Sequence, residues 1–241
     1  MDNYQRSNNR DLIAEETDLK RRLELLAYNN GGDFFGVADL EPAREFIVAQ
    51  GGNALGRFPC AVSIGMRLSD AIVDQHSPEE RREYSLYWHH VYQVVTPALD
   101  LIAQKTQRQL QHRGFTAFPI PASLYNSETL KCVFPHKLAA HLAGLGWIGK
   151  SCLLINPSFG ARVRLVTVLT DAPLSPETPL DEQCGKCQAC VVACPVQAFN
   201  GIEFQSTDPV EVRFNTRACA EYRRTHPCGL CVAKCPVGRH T

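Results

Sequence analysis

Neither sign of charge prevails in this sequence: 25 Lys+Arg stand against 25 Asp+Glu, and the formal net charge is zero. A protein that grips a polyanion through many phosphate contacts usually carries a basic excess. The balance here argues against such a footprint and leaves only a local patch open. Long apolar runs are also missing. Charges interrupt them well before the ~20 residues that a membrane-spanning helix needs, so no membrane contact is expected. Residues 1–22, MDNYQRSNNRDLIAEETDLKRR, are polar and have no apolar segment of the kind a secretion signal requires. A cytoplasmic protein is the expectation. The hydrophobic share of 44% is ordinary for a folded chain, and 241 residues suffice for one sizeable core plus a small appended module.

Cysteine, in contrast, is abundant. There are eleven, an odd number, and with no signal peptide a disulfide framework is a poor explanation. Cys60, Cys132 and Cys152 are scattered through the long N-terminal part, and the rest fall after residue 180. The segment EQCGKCQACVVACPV spaces Cys184, Cys187, Cys190 and Cys194 as Cys-two-Cys-two-Cys-three-Cys-Pro. That is the run of two-cluster ferredoxins, in which the fourth cysteine ligates the other cluster. A structural zinc site pairs two thiolates and then waits a dozen residues or more for the second pair. Zinc is the plainer alternative, and a 3Fe–4S form would be a damaged state of the first cluster.

The second run, HPCGLCVAKCPVG, carries Cys228, Cys231 and Cys235 before Pro236 and lacks one thiol of the usual triplet. Cys219 is the nearest spare. Exchange of the terminal cysteines then gives one 4Fe–4S cluster on Cys184, Cys187, Cys190 and Cys235, and another on Cys194, Cys219, Cys228 and Cys231. The expected role is electron transfer. Val191, Val192, Ala193, Val232 and Ala233 are expected to pack between the clusters. Gly185, Gly201 and Gly229 suit turns with unusual backbone angles.

The preceding stretch alternates helices and strands. The spacing of Leu12, Leu19, Leu23 and Leu26 predicts a helix from Asp11 to Tyr28. DFFGVADL and FPCAVSIGM read as strands, with EPAREFIVAQ a helix between them. Ser77 and Glu80 form a capping box with Pro78 at the first helical position. Tyr84, Tyr87, Val91 and Val94 then predict a core face, and Pro97 a kink or break. FTAFPIP reads as a strand, and Pro135 opens a short helix with Leu138 and Leu142 facing inward. GLGWIGK follows, and SCLLI and ARVRLVTVLT are expected to form a hairpin around NPSFG. Glycines at a helix end let backbone N–H groups approach a ligand, but they also serve plain helix-on-strand packing. His89 and His90 point to different faces, and His136 and His141 share no face, which argues against zinc.

HKLAAHLAGLGWIGKSCLLI, VLTDAPL and the two cysteine runs, in that order, resemble epoxyqueuosine reductase and its relatives, with weaker similarity through FFGVADL and CAVSIGM. The family includes cobalamin-dependent members and shares its architecture with reductive dehalogenases. The resemblance implies an α+β fold: a nitroreductase-like α/β domain over 1–175 for cofactor or substrate, then a bacterial two-cluster ferredoxin-like module over 176–241. It implies an oxidoreductase in which the clusters feed electrons to a cofactor, cobalamin first and flavin second. Gly146, Trp147, Gly149 and Lys150 would face the cofactor, and the eight cysteines of the tail would hold the clusters. An electron donor such as a ferredoxin or flavodoxin is implied, and a corrinoid protein is a further partner.

Three departures bear on this. The chain stops soon after the second run, where longer members continue into a helical-repeat region that helps bind tRNA. The acidic proton donor of catalytic members has no aligned counterpart; Glu128 is the one carboxylate in YNSETLKCV. The neutral charge offers no tRNA footprint, so tRNA is not the expected partner. A non-enzymatic electron carrier is the alternative reading, and epoxyqueuosine reduction in tRNA the third. Cys132 and His136 are the candidates to replace the donor, set against a plain buried thiol and a helix-start imidazole. Tyr125 is a further donor candidate. Lys150 could neutralise a reduced cluster or a cofactor phosphate, or simply solvate its loop. Cys60 and Cys152 read as inert thiols in apolar strands.

Overall fold

The computed structural model describes residues 17–77, 82–126, 128–205 and 208–239. Helix α1 covers 17–29, with Leu19 and Leu23 buried and Leu26 packed beside them. Leu12, at the expected start of this helix, lies outside the described residues, as do Pro78 and Glu80. Strands β1 (Phe34–Asp39), β2 (Cys60–Arg67), β3 (Ala117–Ile120) and β6 (Val163–Thr170) form one sheet in the order β1-β2-β6-β3, each pair antiparallel. Side chains alternate across it, as the two-residue strand period requires. Val37, Val62, Ile64, Val166 and Val168 enter one core, and Ala38, Ala61, Leu165 and Leu169 enter the other. Pro119, which cannot donate to a ladder, sits on edge strand β3.

Helices cover both faces. The first half contributes α2 (Arg44–Gly51), α3 (Asn53–Gly56), α4 (Asp70–Asp74), α5 (Leu86–His89) and α6 (Thr96–Gln111). The short α7 (His136–Leu142) follows β3, and β4 (Trp147–Ile148) pairs antiparallel with β5 (Leu154–Ile155). After β6 come α8 (Ala189–Val192), α9 (Val210–Arg213), α10 (Thr216–Thr225) and α11 (Leu230–Ala233). Helix α6 packs on the sheet with α1 in one core, and α2 and α7 share the other.

Several expectations need correction. SCLLI does not pair with ARVRLVTVLT. Cys152 takes a left-handed φ of 54°, and this tight turn folds β5 back onto β4, while β6 is claimed on both edges by β2 and β3. Cys152 is therefore a turn residue, not a strand residue. Within the 77–111 stretch, α5 starts at Leu86, where Ser85 Oγ accepts from the Trp88 N–H at 3.4 Å. Pro97 does not break the helix: a π-helical turn over His90–Val95 runs directly into α6, with Pro97 in its first turn. That wide turn closes where Val91 O accepts the Thr96 backbone N–H, and Thr96 Oγ1 donates to the same oxygen at 2.8 Å. It also rotates the face, so Val95 is buried while Val94 and Tyr84 are exposed; Tyr87 and Val91 are buried as expected. In α7, Ala139 and Ala140 lie innermost, and Leu138 and Leu142 are only partly buried. No helix among the described residues is long and apolar enough to cross a membrane.

Candidate metal centre

All eleven cysteines are free thiols. Seven of the eight in the tail fall into two neighbourhoods that cut across the two sequence runs, and Cys184 stands beside Trp147, Lys150 and Glu182. Burial pushes the Cys190 thiol up, and the nearby Cys235 and Cys187 push it further. Burial likewise raises Cys219; the Arg223 cation opposes the rise, and Cys228 and Cys194 add to it. Cys228 is raised by burial and by Cys194, against Arg223. Cys231 is pushed up to about 12 by burial and by Cys228 and Cys219, with Cys190 of the first run also in range. The neighbours thus sort into Cys187, Cys190 and Cys235 on one side and Cys194, Cys219, Cys228 and Cys231 on the other. Helices α8 and α11, which carry Cys190 and Cys231, pack against each other.

A raised thiol resists ionisation, yet ligation requires the thiolate. Such groups await a cationic core. The donor set is all sulfur, which suits iron–sulfur chemistry. Among the described residues, no three His, Cys, Asp or Glu side chains gather as a single ion would need. Zinc draws its thiolates to about 2.3 Å, whereas a cubane binds each thiolate through a separate iron. The residues present fit clusters.

The N-terminal region reaches Cys184 directly. Trp147 Nε1 donates to Cys184 Sγ at 3.5 Å, and a Cβ on Gly149 would lie 3.1 Å from that sulfur. Lys150 Nζ donates to Gly185 O. Gly146, Trp147, Gly149 and Lys150 are all buried, with Lys150 only 5% exposed. Burial and the Glu182 carboxylate push Cys184 up to about 11, against the Trp147 indole and the Lys150 backbone N–H. A cavity of about 620 Å³ lies elsewhere, lined by Glu83, Ser85, Trp88, His89, Gln93, Arg224 and Thr225.

Among the spacers, Val232 and Ala233 are buried, but Val192 is 84% exposed and cannot pack between clusters. On the single turn of α8 it falls on the outer side. Gly185 and Gly201 have positive φ, whereas Gly229 does not. Gly229 is small because the Tyr87 ring lies against it, 2.3 Å from where a Cβ would stand.

Cys132 and His136 do not form a pair. The Cys132 carbonyl and sulfur accept from Gln50 Nε2. His136 Nε2 donates to Pro121 O at 3.1 Å, so its Nδ1 accepts from Thr167 Oγ1 at 2.8 Å. Burial lowers the His136 pKa to about 4, and the ring stays neutral near pH 7. Tyr125 is exposed and bridges to Cys132. The Glu128 backbone N–H donates to Asn126 Oδ1 at 2.9 Å. His90 Nε2 accepts from the Ser69 N–H at 3.0 Å, and His141 Nδ1 donates to Gly146 O at 3.1 Å. Cys60 donates to Thr170 O and Ala172 O, and burial pushes it up to about 12.

Arg223 was invisible to sequence reading, although Cys219 and Arg223 stand four apart on α10 and so share a helix face.

An all-thiol, two-centre arrangement beneath a mixed helix-and-sheet region defines a two-cluster iron–sulfur protein. Residues 183–239 match the 4Fe-4S dicluster domain family. Beyond that module, the chain is similar to epoxyqueuosine reductases, as its motifs suggested. It is 35% identical over 105 residues to the epoxyqueuosine reductase of Bacillus anthracis, covering 40% of this chain and 28% of that protein. The chain thus spans under a third of that relative's length. Among solved structures, the catabolic reductive dehalogenase NpRdhA superposes with a TM-score of 0.69 at 22% identity, over 90% of this chain and 31% of that one. An epoxyqueuosine reductase solved with an epoxyqueuosine-modified tRNA-Tyr stem loop gives 0.59 at 19% identity, over 92% and 66%. These likenesses concern the fold.

Proposed function

We propose that this chain is an iron–sulfur oxidoreductase whose two 4Fe–4S clusters, in the exchanged arrangement given above, pass electrons to an acceptor at the N-terminal region. The observation that carries this reading is the company the thiols keep: Cys190 with Cys235, and Cys194 with Cys219 and Cys228. A bound cluster supplies one-electron chemistry at a potential set by charge, hydrogen bonds to sulfur and exposure. The chain's own residues supply those settings. Trp147 donates a hydrogen bond to the Cys184 sulfur, Val232 and Ala233 exclude water, and Tyr87 closes the Cys228–Cys231 loop. We read 1–175 as a nitroreductase-like domain and 176–241 as the ferredoxin-like module. Segment 171–188, which joins them, holds no helix or strand but is pinned where Glu177 N–H donates to Val37 O at 3.0 Å.

Cobalamin is the favoured acceptor through the resemblance, and flavin the second. The four residues assigned to it, Gly146, Trp147, Gly149 and Lys150, are packed against the Cys184 run and do not line the 620 Å³ cavity. No step is therefore routed through a corrinoid. The test is anaerobic incubation with hydroxocobalamin followed by gel filtration. Co-elution at one equivalent is the expected result. Elution of protein free of corrinoid and flavin rejects a resident acceptor, and a pull-down then seeks the corrinoid protein that an electron carrier would serve. The buried state of those four residues favours this carrier reading as the second one. The named relatives support epoxyqueuosine reduction in tRNA as a third, which retention of tRNA at low salt would raise.

A further inference from the structure

Most cations drawn inward in this molecule have an evident partner. Arg162, 1% exposed, meets Asp74 at 2.6 Å and Asp70 at 3.2 Å. Arg223 is different. Among the described residues no carboxylate pairs with it, and its Nε, like those of Arg162, Arg164 and Arg213, is buried with no hydrogen-bond partner. Its guanidinium lies 5.7 Å from the Trp88 ring centroid and 5.9 Å from that of Tyr92, and Nη2 donates to the Tyr92 hydroxyl. Trp88 and Tyr92 are themselves in ring contact, centroids 4.1 Å apart and planes tilted by 35°. They are aligned by the junction of α5 with the π-helical turn, and π turns recur at functional sites.

Withdrawing a cation from water without an anion is costly. The aromatic faces offset part of that cost. The remaining candidates for an anion are the thiols: Cys219, Cys228 and Cys231 all lie within electrostatic range of Arg223. These are three of the four ligands proposed for one cluster. Cys184, in the other group, has the Glu182 carboxylate beside it instead.

We infer that Arg223, clamped by Trp88 and Tyr92, is the fixed counter-charge of the Cys194–Cys219–Cys228–Cys231 cluster and raises its midpoint potential selectively. Four thiolates make the loaded centre anionic, and each added electron deepens that charge. A cation held at a fixed place stabilises the reduced state more than the oxidised one. The clamp comes from the N-terminal region, so that region tunes the cluster as well as facing it. Arg223 is a positioning residue for charge and needs no contact with substrate. This rests on the two-cluster reading, and the experiment separates the two.

The full chain is reconstituted anaerobically, assayed for iron and sulfide, and titrated potentiometrically with dithionite under EPR detection. Wild type, Arg223→Gln, Arg223→Lys and Tyr92→Phe are compared. Arg223→Gln is expected to lower one of two midpoint potentials and leave the other in place. Arg223→Lys should recover most of the shift, and Tyr92→Phe should lower the same potential by less. Fully loaded Arg223→Gln with both potentials unchanged, or with both lowered equally, overturns the inference. Should Arg223→Gln fail to load, Tyr92→Phe decides, because it keeps the cation and loosens only its clamp; unchanged potentials there overturn it too. A wild type that holds no iron instead defeats the cluster reading itself.

Discussion

Trp147 Nε1 donates a hydrogen bond to Cys184 Sγ at 3.5 Å, joining the glycine-rich segment of the N-terminal region to the first cysteine of the tail. A hydrogen bond to a ligand sulfur withdraws charge and raises a cluster's potential. Trp147→Phe removes the donor while keeping an aromatic ring. The expected result in an EPR-monitored titration is a lower potential for the cluster that includes Cys184, with the other unmoved. Equal potentials in variant and wild type would show that this bond does not matter to the cluster.

Gly149 leaves no room for a side chain. An added Cβ would stand 2.7 Å from Ile155 Cγ1 and 3.1 Å from Cys184 Sγ. Gly149→Ala should therefore displace Cys184, costing about 1–3 kcal/mol of stability through overpacking and about half of the bound iron. Thermal unfolding and iron analysis on the same sample check both effects.

The exchanged assignment makes a pairing prediction for serine variants. Cys190→Ser and Cys235→Ser should weaken the same cluster, although the residues lie in different runs. Cys194→Ser and Cys219→Ser should weaken the other. EPR of the reduced proteins distinguishes the survivors. If Cys187→Ser and Cys194→Ser instead remove the same signal, each run holds its own cluster and the exchange is wrong.

His136 should give the protein an acid-sensitive step. The unfolded imidazole takes up a proton near its ordinary pKa of about 6.5, whereas burial keeps the folded one neutral down to about 4. Between these values the unfolded chain binds more protons, so stability falls as pH is lowered through that window and is unaffected above it. The loss reaches about 3 kcal/mol at the lower end. His136→Gln can keep both hydrogen bonds without titrating, and it should flatten this slope in denaturant unfolding measured between pH 4.5 and 7.

Arg162 ties the sheet to α4 and reaches Ala233 O of α11 at 3.5 Å. Asp70→Asn with Asp74→Asn leaves a buried cation unpaired. The expected cost is about 2 kcal/mol, below the value for a fully buried pair because Asp74 faces solvent. Chemical denaturation measures it.

Much of this was legible in the sequence because spacing alone carries it. The Cys-two-Cys-two-Cys-three-Cys-Pro run marked the metal module, and strands β1, β2, β3 and β6 appeared where β-branched and apolar runs sit. Pairing was less legible. SCLLI and ARVRLVTVLT looked like hairpin partners, yet the left-handed Cys152 turned the first onto β4, and only tertiary competition sent β6 between β2 and β3. The π-helical turn was hidden as well, since one widened turn shifts the buried face from Val94 to Val95 without any marker residue. Arg223 escaped because its role depends on Trp88 and Tyr92, which lie far away in sequence.

Anaerobic iron and acid-labile sulfide analysis of the full chain tests the central claim most directly. Two 4Fe–4S clusters predict about eight iron and eight sulfide per polypeptide. Zinc in place of iron, or about four of each or fewer in freshly reconstituted protein, would contradict the two-cluster account.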